Sequence, residues 1–373
     1  MKIVFFVHAV ASCWNNGNAH FLRGVATSLQ RKGHQVVIFE PRSAWSRQNL
    51  VADHGTEALQ RFERAFPSLR PRFYDPAADD PEALIGDADV VIAHEWNDPA
   101  FVNRIGTLRK SGGRFALLFH DTHHRAATSP AEMRRFDLSG FDGVLAFGGA
   151  IAELYRSRGW ADRVWTWHEA ADTSVFFPRE PAARDGDLVW VGNWGDEERS
   201  EEIREFLLEP AQALGLKADV FGVRYPEAAQ AELAGRGVRY RGWLPNAEVP
   251  ETFARYSLTV HVPRRPYARA LPGIPTIRIF EALACGIPLV SAPWEDSESL
   301  FPQGCFLTAQ DGAAMQRQMR AVLNDSDLAQ SLRRNGLAAI RAGHTCDHRV
   351  DQLLAICASL VPSRVPQKLR KAV

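Results

Sequence analysis

Short apolar runs alternate with amphipathic stretches along the chain, and this alternation starts again near the middle. A strand–helix–strand rhythm of this kind is typical of parallel sheets with helices packed on both faces. In the first half a helix is predicted over residues 18–32, and the predicted buried strands are residues 2–7, 35–39, 89–93, 114–119 and 143–147. The pattern therefore constrains this half to a doubly wound α/β domain.

The second half repeats the rhythm after residues 177–187, a stretch rich in proline, glycine and charge that indicates a linker. Helices are predicted over about 197–213 and most of 310–361, and the predicted strands are residues 188–191, 218–222, 238–241, 257–262 and 289–291. A chain of 373 residues fits two domains better than one. We predict domains at residues 1–176 and 188–345, followed by a C-terminal segment at 346–373.

Composition excludes several function classes. The 44 basic and 44 acidic residues leave no net charge at pH 7, so we expect no nucleic-acid partner. The 5 cysteines form no C-x-x-C motif, which argues against a zinc ribbon or a disulfide framework and fits a reducing cytoplasm. No apolar run approaches the ~20 residues of a membrane span, and the one at the N-terminus indicates a first strand rather than a signal peptide. The basic segment 364–371 indicates a solvated end or a weak contact with an anionic membrane surface.

The stretch with the most chemical information is residues 271–291, LPGIPTIRIFEALACGIPLVS. Pro275 suits the first position of a short helix, Gly286 suits the position just after its end, and an apolar strand follows. The free N–H groups at the start of that helix suit a phosphate. Arg278 and Glu281 share one helix face, and Glu281 can accept hydrogen bonds from the two hydroxyls of a ribose. The other open interpretation is an ordinary surface ion pair between these two side chains.

Residues 278–289, RIFEALACGIPL, resemble the donor-site signature of GT-B glycosyltransferases, in particular the glycosyl transferases group 1 class and its CgeB-like, spore-maturation branch. The resemblance implies an α/β fold of two Rossmann-like, doubly wound parallel-sheet domains that face a cleft, with the last helix crossing back onto the first domain. It also implies a hexosyltransferase whose C-terminal domain binds a nucleoside-diphosphate sugar, with a UDP-sugar favoured, while an unknown acceptor lies against the N-terminal domain.

Three turns of the second domain are donor-site candidates on the same resemblance. Gly192 and Asn193 follow a strand and could bring backbone N–H groups close to a diphosphate. Arg264 and Arg265 follow another strand, where guanidinium groups suit a phosphate and a solvated basic loop is the alternative. Trp243 lies in a turn that resembles the family's base-reading turn, and core packing is an equal alternative for its ring.

Further donor-site candidates lie at the helix entrance and in the first loop. The amides of Gly273 and Ile274 are expected to hold the distal phosphate, with Thr276 in the same turn. Gly17 belongs to the loop after the first strand, which in the resembling family closes over the diphosphate; an ordinary turn is the alternative. The chain has no G-x-G-x-x-G motif there, so a nicotinamide dehydrogenase is disfavoured.

The catalytic candidates are His120 and Asp121, which follow the strand 114–119. Residues just past the carboxyl ends of parallel strands line the ligand crevice, and imidazole or carboxylate can exchange a proton near neutral pH. Two alternatives for residues 120–124 are ordinary polar loop residues and a metal site. The metal site is disfavoured because no second cluster of His, Cys, Asp or Glu in the sequence supplies further ligands. Glu95 could face the acceptor, although a structural role is favoured. No Asp-x-Asp motif ends a suitable strand, so we predict transfer without a metal or other cofactor.

One departure from the family pattern concerns stereochemistry. Retaining members carry a Glu-x7-Glu pair, of which Glu281 matches the second residue while Gly273 stands at the first. Recognition of the donor sugar must therefore differ, and retention is favoured only through the resemblance. Two alternatives stay open: a nucleotide-sugar epimerase or sugar-phosphate synthase on the same fold, and a degenerate GT-B protein that binds without catalysis.

Overall fold

Two parallel β-sheets flanked by helices make up the computed structural model, which describes residues 1–180 and 183–360. Alternate residues of the first strand, β1 (Lys2–Phe6), enter different cores. Ile3 and Phe5 pack on one face of the sheet, while Val4 and Phe6 pack on the other. Both faces of the sheet are thus covered, as its continuous apolar strands predict.

Within the described residues the first sheet has seven parallel strands in the order β3-β2-β1-β4-β5-β6-β7. The strands after β1 are β2 (Gln35–Pro41), β3 (Arg72–Tyr74), β4 (Val90–His94), β5 (Ala116–Asp121), β6 (Gly143–Ala146) and β7 (Val164–Thr166). The helices of this half are α1 (Asn18–Arg31), α2 (Trp45–His54), α3 (Glu57–Ala65), α4 (Pro81–Ile85), α5 (Pro99–Lys110), α6 (Arg125–Thr128), α7 (Pro130–Met133) and α8 (Gly149–Ser157). The strand order reverses between β1 and β4, and such a switch point opens a crevice at the carboxyl ends of the strands.

The second sheet has six parallel strands in the described part of the chain, in the order β10-β9-β8-β11-β12-β13. Its strands are β8 (Leu188–Val191), β9 (Ala218–Phe221), β10 (Arg239–Tyr240), β11 (Leu258–His261), β12 (Leu289–Ser291) and β13 (Leu307–Thr308). The helices are α9 (Ser200–Ile203), which continues through a π-helical turn (Arg204–Leu208) into α10 (Glu209–Ala213), then α11 (Glu227–Gly235), α12 (Val249–Ala254), α13 (Arg265–Ala270), α14 (Ile277–Cys285), α15 (Gly312–Asn324), α16 (Ser326–Gly343) and α17 (Cys346–Leu360). Here the switch point lies between β8 and β11.

Helix α14 carries most of the signature segment. It begins at Ile277, two residues after Pro275, so the prediction that Pro275 occupies the first helical position is wrong. Thr276 instead precedes the first turn in an extended conformation. Gly286 follows the last turn with φ +66°, a left-handed conformation that glycine adopts at little cost, as the sequence predicts.

The two halves pack against each other, and the last helix connects them. Helix α17 lies on α1, and Arg349 of α17 donates from Nε to the carbonyl of His168 at 2.9 Å. The indole of Trp167 donates in turn to the carbonyl of Arg349 at 2.8 Å. One core cluster includes Phe21 of the first half and Phe280 of the second. The last helix therefore runs back to the first half, the course that the family resemblance implies.

The predicted fold class, two doubly wound parallel-sheet α/β domains, is confirmed. The strands β3, β7 and β13, of two or three residues each, were not predicted. Residues 181–182 of the predicted linker and the basic segment 364–371 lie outside the described residues. The predicted domain boundaries stay predictions.

Candidate functional site

A cleft of about 560 Å³ lies between the two halves. The loops after β1 and β4 supply part of one side, which we call the N-terminal wall, and the loops after β8 and β11 supply part of the other, the C-terminal wall. These four strands flank the switch points of their sheets. The cleft therefore occupies the place where doubly wound sheets bind ligands.

Four arginines of the second half line the cleft. Arg199, Arg264 and Arg278 lie close enough to repel one another, whereas Arg224 pairs with Asp196 at 3.1 Å. Arg264 forms an ion pair with Glu198 at 2.6 Å, and Arg278 forms one with Glu281 on the next turn of α14. The sequence predicted Arg264 and Arg278 as donor-binding residues. Carboxylates thus compensate Arg264 and Arg278, and within the described residues the uncompensated positive charge of this group is that of Arg199.

Arg199 has no carboxylate within ion-pair distance among residues 1–180 and 183–360. Its guanidinium donates to the carbonyls of Val262 at 3.2 Å and Asn193 at 2.9 Å. Burial, and then repulsion from Arg264 and Arg278, lowers the pKa of Arg199 to about 9. A partly buried cation without an ion-pair partner, whose Nε is also without a hydrogen-bond partner in the described residues, suits an anionic ligand.

Seven predicted donor-site residues line the cleft: Gly17, Gly192, Asn193, Trp243, Arg264, Thr276 and Arg278. The N–H of Gly192 is already bonded to the carbonyl of Phe221 at 2.9 Å, so this amide is not free for a phosphate. The side chain of Asn193 bridges the halves by donating to Asn15 while accepting from Arg199. The ring of Trp243 stacks on His54 with centroids 4.7 Å apart.

Three other donor-site predictions do not fit the structure. The N–H of Gly273 bonds to the carbonyl of Glu295 at 2.8 Å and that of Ile274 to the carbonyl of Leu271 at 3.3 Å, so neither amide faces the cleft. Arg265 points away from the cleft and pairs with Glu202 at 2.6 Å. The amides of Gly273 and Ile274 therefore hold their own turn, and Arg265 ties the start of α13 to α9.

Glu281 is fully buried at the boundary between the halves. Its Oε2 faces Arg278, while Oε1 accepts from Asn246 Nδ2 at 2.7 Å and lies 3.0 Å from His20 Nδ1. His20 Nε2 accepts from the N–H of Asp172 at 2.8 Å, so the ring hydrogen lies on Nδ1, towards Glu281. Burial alone would raise the pKa of Glu281, but Arg278 and the His20 and Asn246 contacts lower it below its usual range. The carboxylate is therefore engaged with protein groups, and a ribose would have to displace one of them.

His120 and Asp121 are fully buried beneath the cleft and do not line it, so their predicted contact with substrate does not fit this structure. Both belong to strand β5, which extends two residues further than predicted. Nδ1 of His120 lies 2.8 Å from Nε2 of His94, and burial lowers the pKa of both rings. Asp121 accepts from the hydroxyl of Tyr155 at 2.8 Å.

The residues that follow β5 line the cleft in their place. Burial and nearby cations lower the pKa of His123 well below its usual value, so its ring is neutral. Nδ1 of His123 is buried and has no hydrogen-bond partner in the described residues. The rings of His123 and Trp96 form a T-shaped pair with centroids 4.9 Å apart. Glu95 does not line the cleft: it accepts from the hydroxyl of Thr122 at 2.9 Å beneath it.

Sequence reasoning missed Arg199, His123 and Glu169 as residues of the cleft. Arg199 lies in the same loop as Gly192 and Asn193, so strand-end position was an available signal. His123 lies in the predicted polar cluster, three residues after His120, the histidine that the sequence analysis selected. Glu169 follows β7, one of the short strands that the sequence pattern did not predict.

Neither a metal-binding cluster nor a membrane-spanning helix occurs among residues 1–180 and 183–360. No group of three or more His, Cys, Asp or Glu residues there is arranged to hold a metal ion. No helix there has the length and hydropathy needed to cross a bilayer.

Comparison with protein families gives one match on each half of the chain. Residues 15–175 match the family described as Glycosyltransferase Family 4, and residues 199–355 match the family described as Glycosyl transferase-like. Among curated proteins, no sequence matches. The CgeB-like assignment stays a prediction.

Solved structures share the fold at low identity. A sucrose-phosphate synthase from Thermosynechococcus elongatus is 15% identical with a TM-score of 0.65, and the match covers 96% of this chain and 99% of that one. A glycosyltransferase from Rickettsia africae is 10% identical, with a TM-score of 0.67 over 97% and 99%. An alpha-glucosyltransferase in complex with UDP and a 13-mer DNA is 13% identical, with a TM-score of 0.68 over 96% and 99%. The family match on each half and the fold shared with these enzymes support a glycosyltransferase of the GT-B fold.

Proposed function

We propose that this protein transfers a sugar from a nucleoside-diphosphate sugar to an acceptor bound at the N-terminal wall of the cleft. The observation that carries the proposal is Arg199, a partly buried guanidinium beside Arg264 and Arg278 that has no carboxylate within ion-pair distance in the described residues and whose Nε is buried without a hydrogen-bond partner there. A diphosphate has the negative charge and the oxygen acceptors that this group of cations lacks. A uridine nucleotide is favoured because two of the structural neighbours are complexes of an alpha-glucosyltransferase with UDP.

In this proposal the C-terminal wall stabilises the leaving group. Negative charge develops on the diphosphate as the bond to the sugar breaks, and the three arginines are fixed beside it before reaction. Their charge would serve in place of a divalent cation, so we expect transfer in the presence of a chelator. Trp243 would contact the base through the ring face that His54 leaves free.

The N-terminal wall would bind and orient the acceptor. His123 is the candidate to orient the acceptor hydroxyl, because its ring lines the cleft and, being neutral, can accept a hydrogen bond. The packing of the two halves would exclude water and align the acceptor with the anomeric carbon. We favour retention of configuration on the family resemblance, and the anomeric signal of the product in NMR tests it.

Nucleotide binding with EDTA present tests the proposal. We expect Arg199→Gln to weaken UDP binding about 100-fold in isothermal titration, since a charge-assisted contact contributes about 1.5–3 kcal/mol. Arg265→Gln is the matched control, because that guanidinium pairs with Glu202 outside the cleft and should leave affinity within about twofold. Equal affinities for the wild type and Arg199→Gln, or no binding of UDP or GDP to the wild type, would contradict the proposal.

Incubation with a UDP-sugar and no acceptor separates the alternatives on the same fold. A transferase should leave the donor intact apart from slow hydrolysis, whereas an epimerase would yield the epimer. Addition of sugar phosphates as acceptors tests the synthase, the activity named for one structural neighbour. Tight UDP binding without turnover on any acceptor would favour a binding protein.

A further inference from the structure

Glu169 is an acidic side chain of the cleft to which the proposed function gives no role. It follows β7, is 8% exposed and lines the cleft. Asn18, the first residue of α1, donates from Nδ2 to Oε1 of Glu169 at 3.0 Å. Oε2 has no hydrogen-bond partner among residues 1–180 and 183–360. One carboxyl oxygen is thus held by the protein, and the other is available to a ligand.

The surroundings of Glu169 disfavour its negative charge. The groups that face it are Asn18 on α1, Tyr267 on α13, Arg278 and Glu281 on α14, and Cys346 on α17. Burial, and to a smaller extent the negative charge of Glu281, raises the pKa of Glu169. The hydrogen bond from Asn18 and the positive charge of Arg278 lower it, and the resulting pKa is about 7. Arg278 is the one group of fixed positive charge among them.

A bound diphosphate would shift the protonation equilibrium of Glu169 towards the carboxylic acid. The ligand would engage Arg278, the cation that stabilises the Glu169 carboxylate, and would bring further negative charge close to it. Both changes favour the protonated carboxyl. A carboxylic acid can donate from Oε2 to a ligand oxygen, whereas a carboxylate could only repel it.

We propose that Glu169 binds the nucleoside-diphosphate ligand as a carboxylic acid, donating a hydrogen bond from Oε2 to a ligand oxygen, so that binding takes up a proton from solvent. The inference rests on the proposed function for the identity of the ligand and adds a residue that senses its charge. No covalent step is involved: the proton enters with the nucleotide and leaves with it.

The experiment is isothermal titration of UDP into the wild type, Glu169→Gln and the control Glu153→Gln, whose side chain is 70% exposed on α8. Titrations in buffers of different ionisation enthalpy count the protons taken up. When the pH rises from about 6 to 8.5, the affinity of the wild type and of the control for UDP should fall about tenfold more than that of Glu169→Gln. The reason is that a pKa of Glu169 one unit higher in the bound than in the free protein changes the affinity by up to tenfold, and glutamine does not titrate. Glutamine keeps a donor in place of the acid, so Glu169→Gln should retain the affinity seen at low pH. The ligand's own titration is common to all three proteins and cancels in the comparison.

The outcomes separate this inference from the proposed function. Absence of UDP binding to the wild type at every pH would overturn both. Binding with no proton uptake, or with the same pH dependence in Glu169→Gln as in the wild type, would overturn this inference alone. Loss of binding by Glu169→Gln at about pH 6, with a native circular dichroism spectrum, would also overturn it, because a neutral acid has no advantage over a neutral amide there.

Discussion

The contact between Gly148 and Ile274 allows a direct test of how closely the two halves pack. Gly148 precedes α8 in the first half and has φ −173°, an extended conformation that any residue adopts, so a side chain there adds no backbone strain. A Cβ at this position would lie 2.5 Å from Cδ1 of Ile274 and closer still to Cγ1. Carbon atoms in contact lie about 3.5–4.0 Å apart, and Ile274 is fully buried and unable to move aside. We therefore expect Gly148→Ala to lower the free energy of unfolding by about 1–3 kcal/mol, the usual effect of overpacking.

A double-mutant cycle isolates this contact. Ile274→Ala alone should cost about 2–5 kcal/mol through the cavity that it creates. Because the alanine also removes the atoms that clash, adding Gly148→Ala to it should cost almost nothing, which gives a coupling of about 1–3 kcal/mol. Urea unfolding followed by far-UV circular dichroism measures all four proteins. A coupling near zero would refute the reasoning, since it would mean that the two residues do not touch in solution.

Three further predictions concern buried contacts. Gly24→Ala should lower the free energy of unfolding by about 1–3 kcal/mol, because the added Cβ would lie 2.7 Å from Cβ of Asp172; an unchanged urea midpoint would contradict this. His20→Ala should cost a similar ~1–3 kcal/mol, since the N–H of Asp172 and Oε1 of Glu281 each lose a partner; a thermal midpoint equal to that of the wild type would argue against these contacts. Burial, and then repulsion from the neighbouring carboxyl of Asp121, raises the pKa of Glu95 above its usual value of 4.5. The folded protein therefore binds this proton more tightly than the unfolded chain does, so the free energy of unfolding should fall as the pH rises from 4.5 through the raised pKa. Glu95→Gln should make thermal midpoints between about pH 5 and pH 8 less pH-dependent, and parallel curves for the two proteins would count against the assignment.

Apolar patterning predicted the sheets because most strands are buried on both faces and stand out as uninterrupted apolar runs. It failed for β3, β7 and β13, which are very short and include side chains that are not buried. The turn residues on either side of helix α14 located the helix in the sequence. Its start was misplaced because Pro275 suits the first helical position and Thr276 suits the position just before the helix, and the structure uses Thr276.

The site was harder to predict than the fold because side-chain direction depends on the exact end of a strand and on partners distant in sequence. Strand β5 continues through His120 and Asp121, which turns both side chains into the protein and leaves the next residues at the cleft. Arg264 and Arg265 are adjacent in sequence, yet only Arg264 reaches the cleft, since carboxylates on other elements draw Arg265 away. Nothing local to Arg199 indicates that it lacks a carboxylate partner, a property that emerges only when the loops after β8 and β11 meet.

A crystal structure of the protein soaked with UDP tests the central claim most directly. The account predicts electron density in the cleft between the halves, with diphosphate oxygens within hydrogen-bond distance of Arg199, Arg264 and Arg278 and without a metal ion between them. Nucleotide density at another place on the surface, or an empty cleft at a UDP concentration that saturates the protein in titration, would contradict it.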